Sequence, residues 1–178
     1  MEEKEVLIVV DMQRDFIDGA LGTAEAQEIV PRVREYIEHF KGRVLYTRDT
    51  HREDYLQTQE GRKLPVPHCL YGTHGWEITD ALQDLRQDAV IDKPTFGSIE
   101  LAEMLARENR EQHYGRITLI GVCTDVCVLS NAILLRAALP ETEIVVDASC
   151  CAGVTPEKHR IALQAMAACQ IHIENPPF

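Results

Sequence analysis

Six short runs rich in β-branched and other apolar residues punctuate the chain, at Val6 to Val10, Val44 to Thr47, Ala89 to Asp92, Ile117 to Ile120, Ile144 to Val146 and Ile171 to Ile173. None alternates polar with apolar, so each predicts a strand covered on both faces, the condition of a parallel sheet held between helix layers. Between them Ile29, Val33, Tyr36, Ile37 and Phe40 fall at helical spacing, as do Ile99, Ala102, Leu105 and Ala106, and again Ile161, Ala165 and Ala168. Thr124 or Asp125 can cap a helix running through Leu129, Ile133 and Leu134, with Pro140 stopping it. Strands alternating with helices imply right-handed crossovers and a three-layer α/β/α domain around a central six-stranded, mainly parallel sheet, one domain over residues 1–178.

Composition narrows the partners. A formal net charge of −11 disfavours nucleic acid and anionic membranes. No apolar run approaches the roughly 20 residues of a membrane helix. The acidic start, Met1-Glu2-Glu3-Lys4-Glu5, lacks the basic region of a signal peptide. A cytoplasmic protein with a small-molecule ligand is expected. Six cysteines without a C-x-x-C pair read as reduced thiols, not as a disulfide framework or a zinc ribbon. Cys69, Cys150, Cys151 and Cys169, the last on an apolar helix face, read as structural thiols. His74, His113, His159 and His172 read as loop or surface residues without a partner pattern.

One stretch resists the pattern: Asp49 to Trp76 lacks clean periodicity and is rich in His, Gly, Pro and acidic residues, and so long a loop in a compact domain is usually functional. Ligands of open α/β sheets bind beyond the carboxyl ends of the strands. There stand Asp11 after the first run, Asp49 and His51 after the second, Lys93 after the third, and Thr124, Asp125 and Cys127 after the fourth. Cys127 falls in the first turn of its helix, where the macrodipole and a nearby Lys93 favour a thiolate. Asp11 is placed to take the thiol proton and return it to a leaving amine, and the backbone N–H groups of Cys127 and Cys123 can hold an oxyanion. Taken singly, the same residues also fit a small buried cysteine and a solvated ion pair.

Together, Asp11-Met12-Gln13-Arg14-Asp15-Phe16, Lys93-Pro94-Thr95-Phe96-Gly97-Ser98 and Gly121-Val122-Cys123-Thr124-Asp125-Val126-Cys127-Val128 resemble the signature blocks of the isochorismatase-like cysteine hydrolases, in that family's order. The resemblance implies a catalytic triad of Asp11, Lys93 and Cys127, a cis peptide at Val122–Cys123 that turns N–H groups toward the oxyanion, and a homo-oligomer. A cysteine at 127 favours amide hydrolysis through a thioester over vinyl-ether hydrolysis, which does not need the thiol.

Asp49-Thr50-His51 and Pro67-His68-Cys69 are similar to the metal-site blocks of nicotinamidases, which implies Asp49, His51 and His68 as ligands of a divalent ion, zinc with iron and manganese as alternatives. Glu60 is a candidate fourth ligand, with Glu53 and Asp54 as substitutes. Read alone, Asp49 and His51 also fit an Asx-type turn after a strand. The Trp that often precedes the family's later His block is missing, so Phe16 and Phe96, then Trp76 and Tyr71, are the candidates to stack on a ring. The expectation is hydrolysis of nicotinamide to nicotinate and ammonia. Its rivals are a metal-free amidase for carbamoyl or ureido compounds and a non-catalytic ligand-binding or redox-sensing thiol protein.

Overall fold

The computed structural model describes residues 4–86 and 90–177. Ala89, where the third run begins, lies outside them, as do Met1 to Glu3 of the acidic start. In chain order the elements are β1 (Lys4–Val10), α1 (Arg14–Ile17), α2 (Ala24–His39), β2 (Arg43–Asp49), α3 (Gln59–Lys63), α4 (Asp80–Gln83), β3 (Val90–Lys93), α5 (Ile99–Glu108), β4 (Tyr114–Val122), α6 (Leu129–Ala138), β5 (Glu143–Ala152), α7 (Pro156–Ala168) and β6 (His172–Glu174). All six predicted strands form. They make one sheet in the order β3-β2-β1-β4-β5-β6, and every neighbouring pair is parallel.

Both faces of the sheet are covered, as the uninterrupted apolar runs require. Along β1, Val6, Ile8 and Val10 face a core built with Leu101 and Leu105 of α5, Ala132 and Leu135 of α6, and Leu163 and Met166 of α7. Leu7 and Val9 face the other side, against Ala26, Ile29, Val33 and Ile37 of α2 with Phe16 and Leu82. Side-chain caps set the starts of α2, α5 and α7, where Thr23, Ser98 and Thr155 accept from the third residue on.

The α7 face differs from the one expected. Ala162, Leu163 and Met166 are buried, whereas Ile161 is 55% exposed and Ala165 and Ala168 face solvent. The two alanines bury too little area to orient a helix against Leu163 and Met166. Cys169 is likewise exposed, just past the end of α7. No helix of the described residues is long and apolar enough to cross a membrane.

The order reverses between β1 and β4, and such a switch point opens a crevice at the carboxyl ends of the strands. Here the two strands come very close: Gly121 has φ +117°, and a Cβ there would stand 2.2 Å from the Val10 carbonyl oxygen. Only glycine lets β4 end in this way.

Candidate active site and metal centre

Asp11 leaves β1 in the left-handed region at φ 48°, a conformation that aspartate tolerates better than most residues. Its carboxylate is fully buried and accepts the Thr47 hydroxyl of β2 at 2.7 Å. Lys93 ends β3, and its Nζ lies 2.6 Å from Asp11 Oδ2, 3.4 Å from Cys127 Sγ, 3.5 Å from Asp49 Oδ1 and 3.0 Å from the Thr95 carbonyl oxygen. Neither partner of the Asp11–Lys93 contact has side-chain exposure, which sets aside the solvated ion pair. The structure thus brings Asp11, Lys93 and Cys127 together.

Cys127 sits in a wide helical turn, Thr124–Val128, that follows a cis peptide at Val122–Cys123. Val126 and Val128 donate their N–H groups to the Cys123 carbonyl, both at 3.1 Å. Neither Thr124 nor Asp125 caps the helix as expected, because the turn starts earlier: Cys123, in extended backbone, holds the cap position, and both residues lie inside the turn with their side chains used elsewhere. The Asp125 carboxylate accepts the Val154 N–H at 2.8 Å, and Thr124 Oγ1 is 2.7 Å from Nδ1 of His159. His159 therefore has a partner, contrary to its reading as a surface residue; His74, His113 and His172 are exposed.

The thiolate expectation is also corrected. Burial pushes the Cys127 thiol well above its ordinary range and the Asp11 carboxylate adds to this, with Lys93 opposing both. Burial likewise raises Asp11. Both shifts favour the thiol over a preformed thiolate and raise the proton affinity of the carboxyl group beside it.

On the far side of Lys93, Asp49, His51, Glu60 and His68 converge, with their ligand atoms all within 4.8 Å of one another. His51 Nε2 is 3.0 Å from Asp49 Oδ2 and 3.4 Å from Glu60 Oε1; His68 Nε2 is 3.6 and 3.9 Å from the same two oxygens. The set fits a divalent cation. His51 Nε2 and Glu60 Oε1 are buried without a hydrogen bond, and two imidazoles with two carboxylates are donors that zinc, iron or manganese accept. His68 Nδ1 lies 2.8 Å from the Val66 carbonyl, which can only accept, so Nδ1 carries a proton and Nε2 is the nitrogen turned to the cluster. Glu53 and Asp54 are exposed and outside it.

The carboxylates of the cluster favour a proton on His51. Burial disfavours the His51 imidazolium, but the Asp49 and Glu60 carboxylates prevail and push it up to about 9. Burial also opposes the Asp49 charge; His51, His68 and Lys93 overcome it and hold this carboxyl below its usual range.

The irregular segment owes its shape to a few ties. Short helical turns at Tyr55–Gln57, α3 and His74–Trp76 are too brief to show a period. Thr58 caps α3, and Gly61 lets it pass the Tyr55 carbonyl, which a Cβ there would meet at 2.0 Å, so that Glu60 turns inward. His51 and Cys69 exchange strand-like backbone bonds with their neighbours, His51 N–H to the Cys69 carbonyl at 3.0 Å and Tyr71 N–H to the His51 carbonyl at 2.9 Å. The Asp15 carboxylate accepts the Cys69 N–H at 2.7 Å, next to His68.

Three supports escaped the sequence reading. Gln13, fully buried, donates to the carbonyls of Asp49 (2.8 Å) and Trp76 (3.0 Å) and accepts the Asp49 N–H at 2.7 Å. Thr47 orients Asp11. Tyr55 packs on both imidazoles, with ring centroids 4.6 Å from His51 and 5.0 Å from His68. The signal for Gln13 was its place two residues beyond a strand-end aspartate.

Of the four aromatic candidates, Phe16 lies against His68 at 5.5 Å between ring centroids. Phe96 is 42% exposed on the loop after β3. Trp76 is committed elsewhere, with the Arg48 guanidinium 3.3 Å over its ring and its Nε1 donating to Thr50. Tyr71 is exposed beneath Arg52.

The Isochorismatase domain family matches residues 5–174. The isochorismatase family protein PncA of Bacillus subtilis is 31% identical, over 92% of this chain and 94% of its own length. A nicotinamidase/pyrazinamidase of Mycobacterium tuberculosis is 27% identical over 94% of this chain and 96% of its own. Among solved structures, the pyrazinamidase of Pyrococcus horikoshii in complex with zinc is 35% identical, with a TM-score of 0.78 over 96% of this chain and 98% of that one.

Proposed function

The chain belongs to the isochorismatase family, and from that premise we propose that it is a nicotinamidase-type amidohydrolase, splitting the carboxamide of a pyridine ring into carboxylate and ammonia through a thioester on Cys127. The observation that carries this reading is the double use of Lys93, whose Nζ stands 3.4 Å from the Cys127 sulfur on one side and 3.5 Å from Asp49 of the metal-type cluster on the other. A substrate spanning that ammonium has one end that takes a nucleophile and another that donates a lone pair, as nicotinamide does. The names of relatives with 27% and 35% identity support the same class.

The steps follow from the residues. Asp11 takes the Cys127 proton as sulfur attacks the carboxamide carbon, and the N–H groups of Cys127 and Cys123 receive the oxyanion. Lys93 holds the Asp11 carboxylate before the transfer and offsets negative charge on sulfur as the proton leaves it. Collapse breaks the carbon–nitrogen bond, and Asp11 returns the proton so that ammonia leaves. Water, deprotonated by Asp11, then cleaves the thioester, releasing the acid and restoring the thiol. Asp49, His51, Glu60 and His68 would hold a divalent ion, which would supply a Lewis acid for the ring nitrogen.

Ammonia release from nicotinamide, measured before and after chelation with Cys127→Ala as the blank, tests the reading. Turnover that needs both the ion and the sulfur is expected. Turnover of carbamoyl or ureido amides that ignores chelation, with none of nicotinamide, would overturn it.

A further inference from the structure

Lys93 ends β3 and Cys127 follows β4, and in the sheet order β3-β2-β1-β4 two strands lie between them. The 3.4 Å approach of ammonium and sulfur is therefore set by contacts outside the strand ladder. One buried amide stands where such contacts meet. Of the buried residues of α6, Asn131, Ala132 and Leu135, Asn131 is the polar one, and it is 1% exposed. Its Nδ2 donates to the Cys127 carbonyl at 2.8 Å and to the Phe96 carbonyl at 3.3 Å, and its Oδ1 accepts the Ser98 N–H at 2.9 Å. Two carbonyls that can only accept and an N–H that can only donate fix which way round the amide stands. Leucine suits a buried helical position better, so what the amide contributes here is geometry.

We propose that Asn131 is a positioning residue: it registers the loop that follows Lys93 against the turn that carries Cys127, and so sets the distance from ammonium to sulfur. The proposal rests on the reading of Cys127 as nucleophile. The tie runs through residues 94–98. At the near end of this loop the Thr95 carbonyl accepts from Lys93 Nζ at 3.0 Å. In its middle the Thr95 hydroxyl donates to the Gly97 carbonyl at 2.7 Å. Gly97 lies directly on α6, where a Cβ would stand 2.6 Å from Leu134 Cδ1 and 3.2 Å from Ser130 Cβ. At the far end Asn131 holds the Ser98 N–H, and Ser98 in turn caps α5. The same amide grips the carbonyl of the nucleophile's own residue, which closes a ring of contacts around the ammonium and the sulfur. The charges that face the sulfur come from three strand ends. Burial does most to raise the thiol, Asp11 and Asp49 add to it, and Lys93 opposes them, so an ammonium that drifts away leaves less thiolate.

The test uses metal-loaded full-length protein, with nicotinamide for turnover and iodoacetamide to read the Cys127 thiol by mass spectrometry of its peptide. Asn131→Leu keeps the volume and removes all three bonds. It is expected to cut kcat about ten- to a hundredfold with KM within about twofold, as a displaced catalytic group does. Alkylation of Cys127 at about pH 8 is expected to slow about threefold or more, because the thiolate is the reactive form. A merely structural role predicts the opposite sign, since loosened packing admits the reagent; alkylation as fast as wild type or faster overturns the proposal. In a Lys93→Met background, adding Asn131→Leu is expected to slow alkylation no further. A second slowing as large as the first overturns the route through Lys93. Asn131→Asp, which keeps an acceptor for the Ser98 N–H and loses both donors, replaces the leucine variant if the latter does not melt cooperatively, with the same outcomes expected. Turnover retained in Cys127→Ala overturns the nucleophile reading and the proposal with it. Turnover lost there, with kcat and alkylation unmoved in Asn131→Leu, overturns the role of Asn131 alone.

Discussion

Replacing Lys93 by methionine tests how two buried carboxylates are tolerated. The Lys93 side chain has no solvent exposure, and its ammonium is the cation 2.6 Å from Asp11 and 3.5 Å from Asp49. Methionine preserves much of the volume and removes the charge, leaving Asp11 with the Thr47 hydroxyl as its side-chain donor. Breaking a buried pair from one side costs about 3–5 kcal/mol. At about 2–4 °C per kcal/mol for a chain of this size, the melting temperature should fall by about 6–20 °C. The loss has a pH signature. Without Lys93 the folded-state pKa of Asp11 rises further above its unfolded value, so the penalty is full at neutral pH and is relieved as pH falls and the carboxyl takes a proton. Adding Asp11→Asn removes the uncompensated charge and should restore part of the stability, though not activity. The assay is thermal denaturation of wild type and the two variants at about pH 7.5 and 5, with chelator throughout. A Lys93→Met protein that melts within about 2 °C of wild type at neutral pH refutes the reasoning, because a change that small lies far below the cost of a buried unpaired charge.

Other expectations are briefer. Metal uptake should release about one proton below about pH 9, because His51 is protonated in the metal-free cluster, so affinity should climb with pH and level off near 9; calorimetry in buffers of different ionisation enthalpy reads this directly. Glu60→Gln should weaken metal binding by about 10–100-fold in a chelator competition, while Glu53→Gln and Asp54→Asn leave it unchanged. Gln13→Ala strands the Asp49 N–H and two buried carbonyls and should cost about 1–3 kcal/mol in urea denaturation, a figure that a neutral result contradicts. Asp11→Asn should lower kcat at least about 10²-fold, and rates near normal would remove it as the acid–base group.

The strands were legible because burial on both faces writes itself as unbroken apolar runs, and the strand ends then located Asp11, Asp49, Lys93 and the turn of Cys127. What stayed hidden depended on contacts made only in the fold. Glu60 was legible as a candidate ligand, but the choice of it over Glu53 and Asp54 rests on α3 passing close over the Tyr55 carbonyl at Gly61. The expected cap at Thr124 failed because the turn starts one residue earlier, with Cys123 in the cap position, and the partner that Thr124 takes instead, His159, lies 35 residues away. The thiolate expectation weighed a helix end and a lysine but not burial, which depends on how the whole crevice closes. The buried face of α7 was misread because alanine spacing looks like a stripe while contributing little area.

The position of β3 has a consequence for how the protein loses function. This four-residue strand is at the margin of the sheet, and β2 is its neighbour in the sheet. Its final residue is Lys93. Marginal strands open first in native-state fluctuations. Detachment of β3 withdraws the ammonium from both Cys127 and Asp49 while the β1–β4–β5 centre stays folded. On heating, inactivation should therefore precede melting, and the amide hydrogens of 91–93 should exchange by a local opening that a bound substrate suppresses.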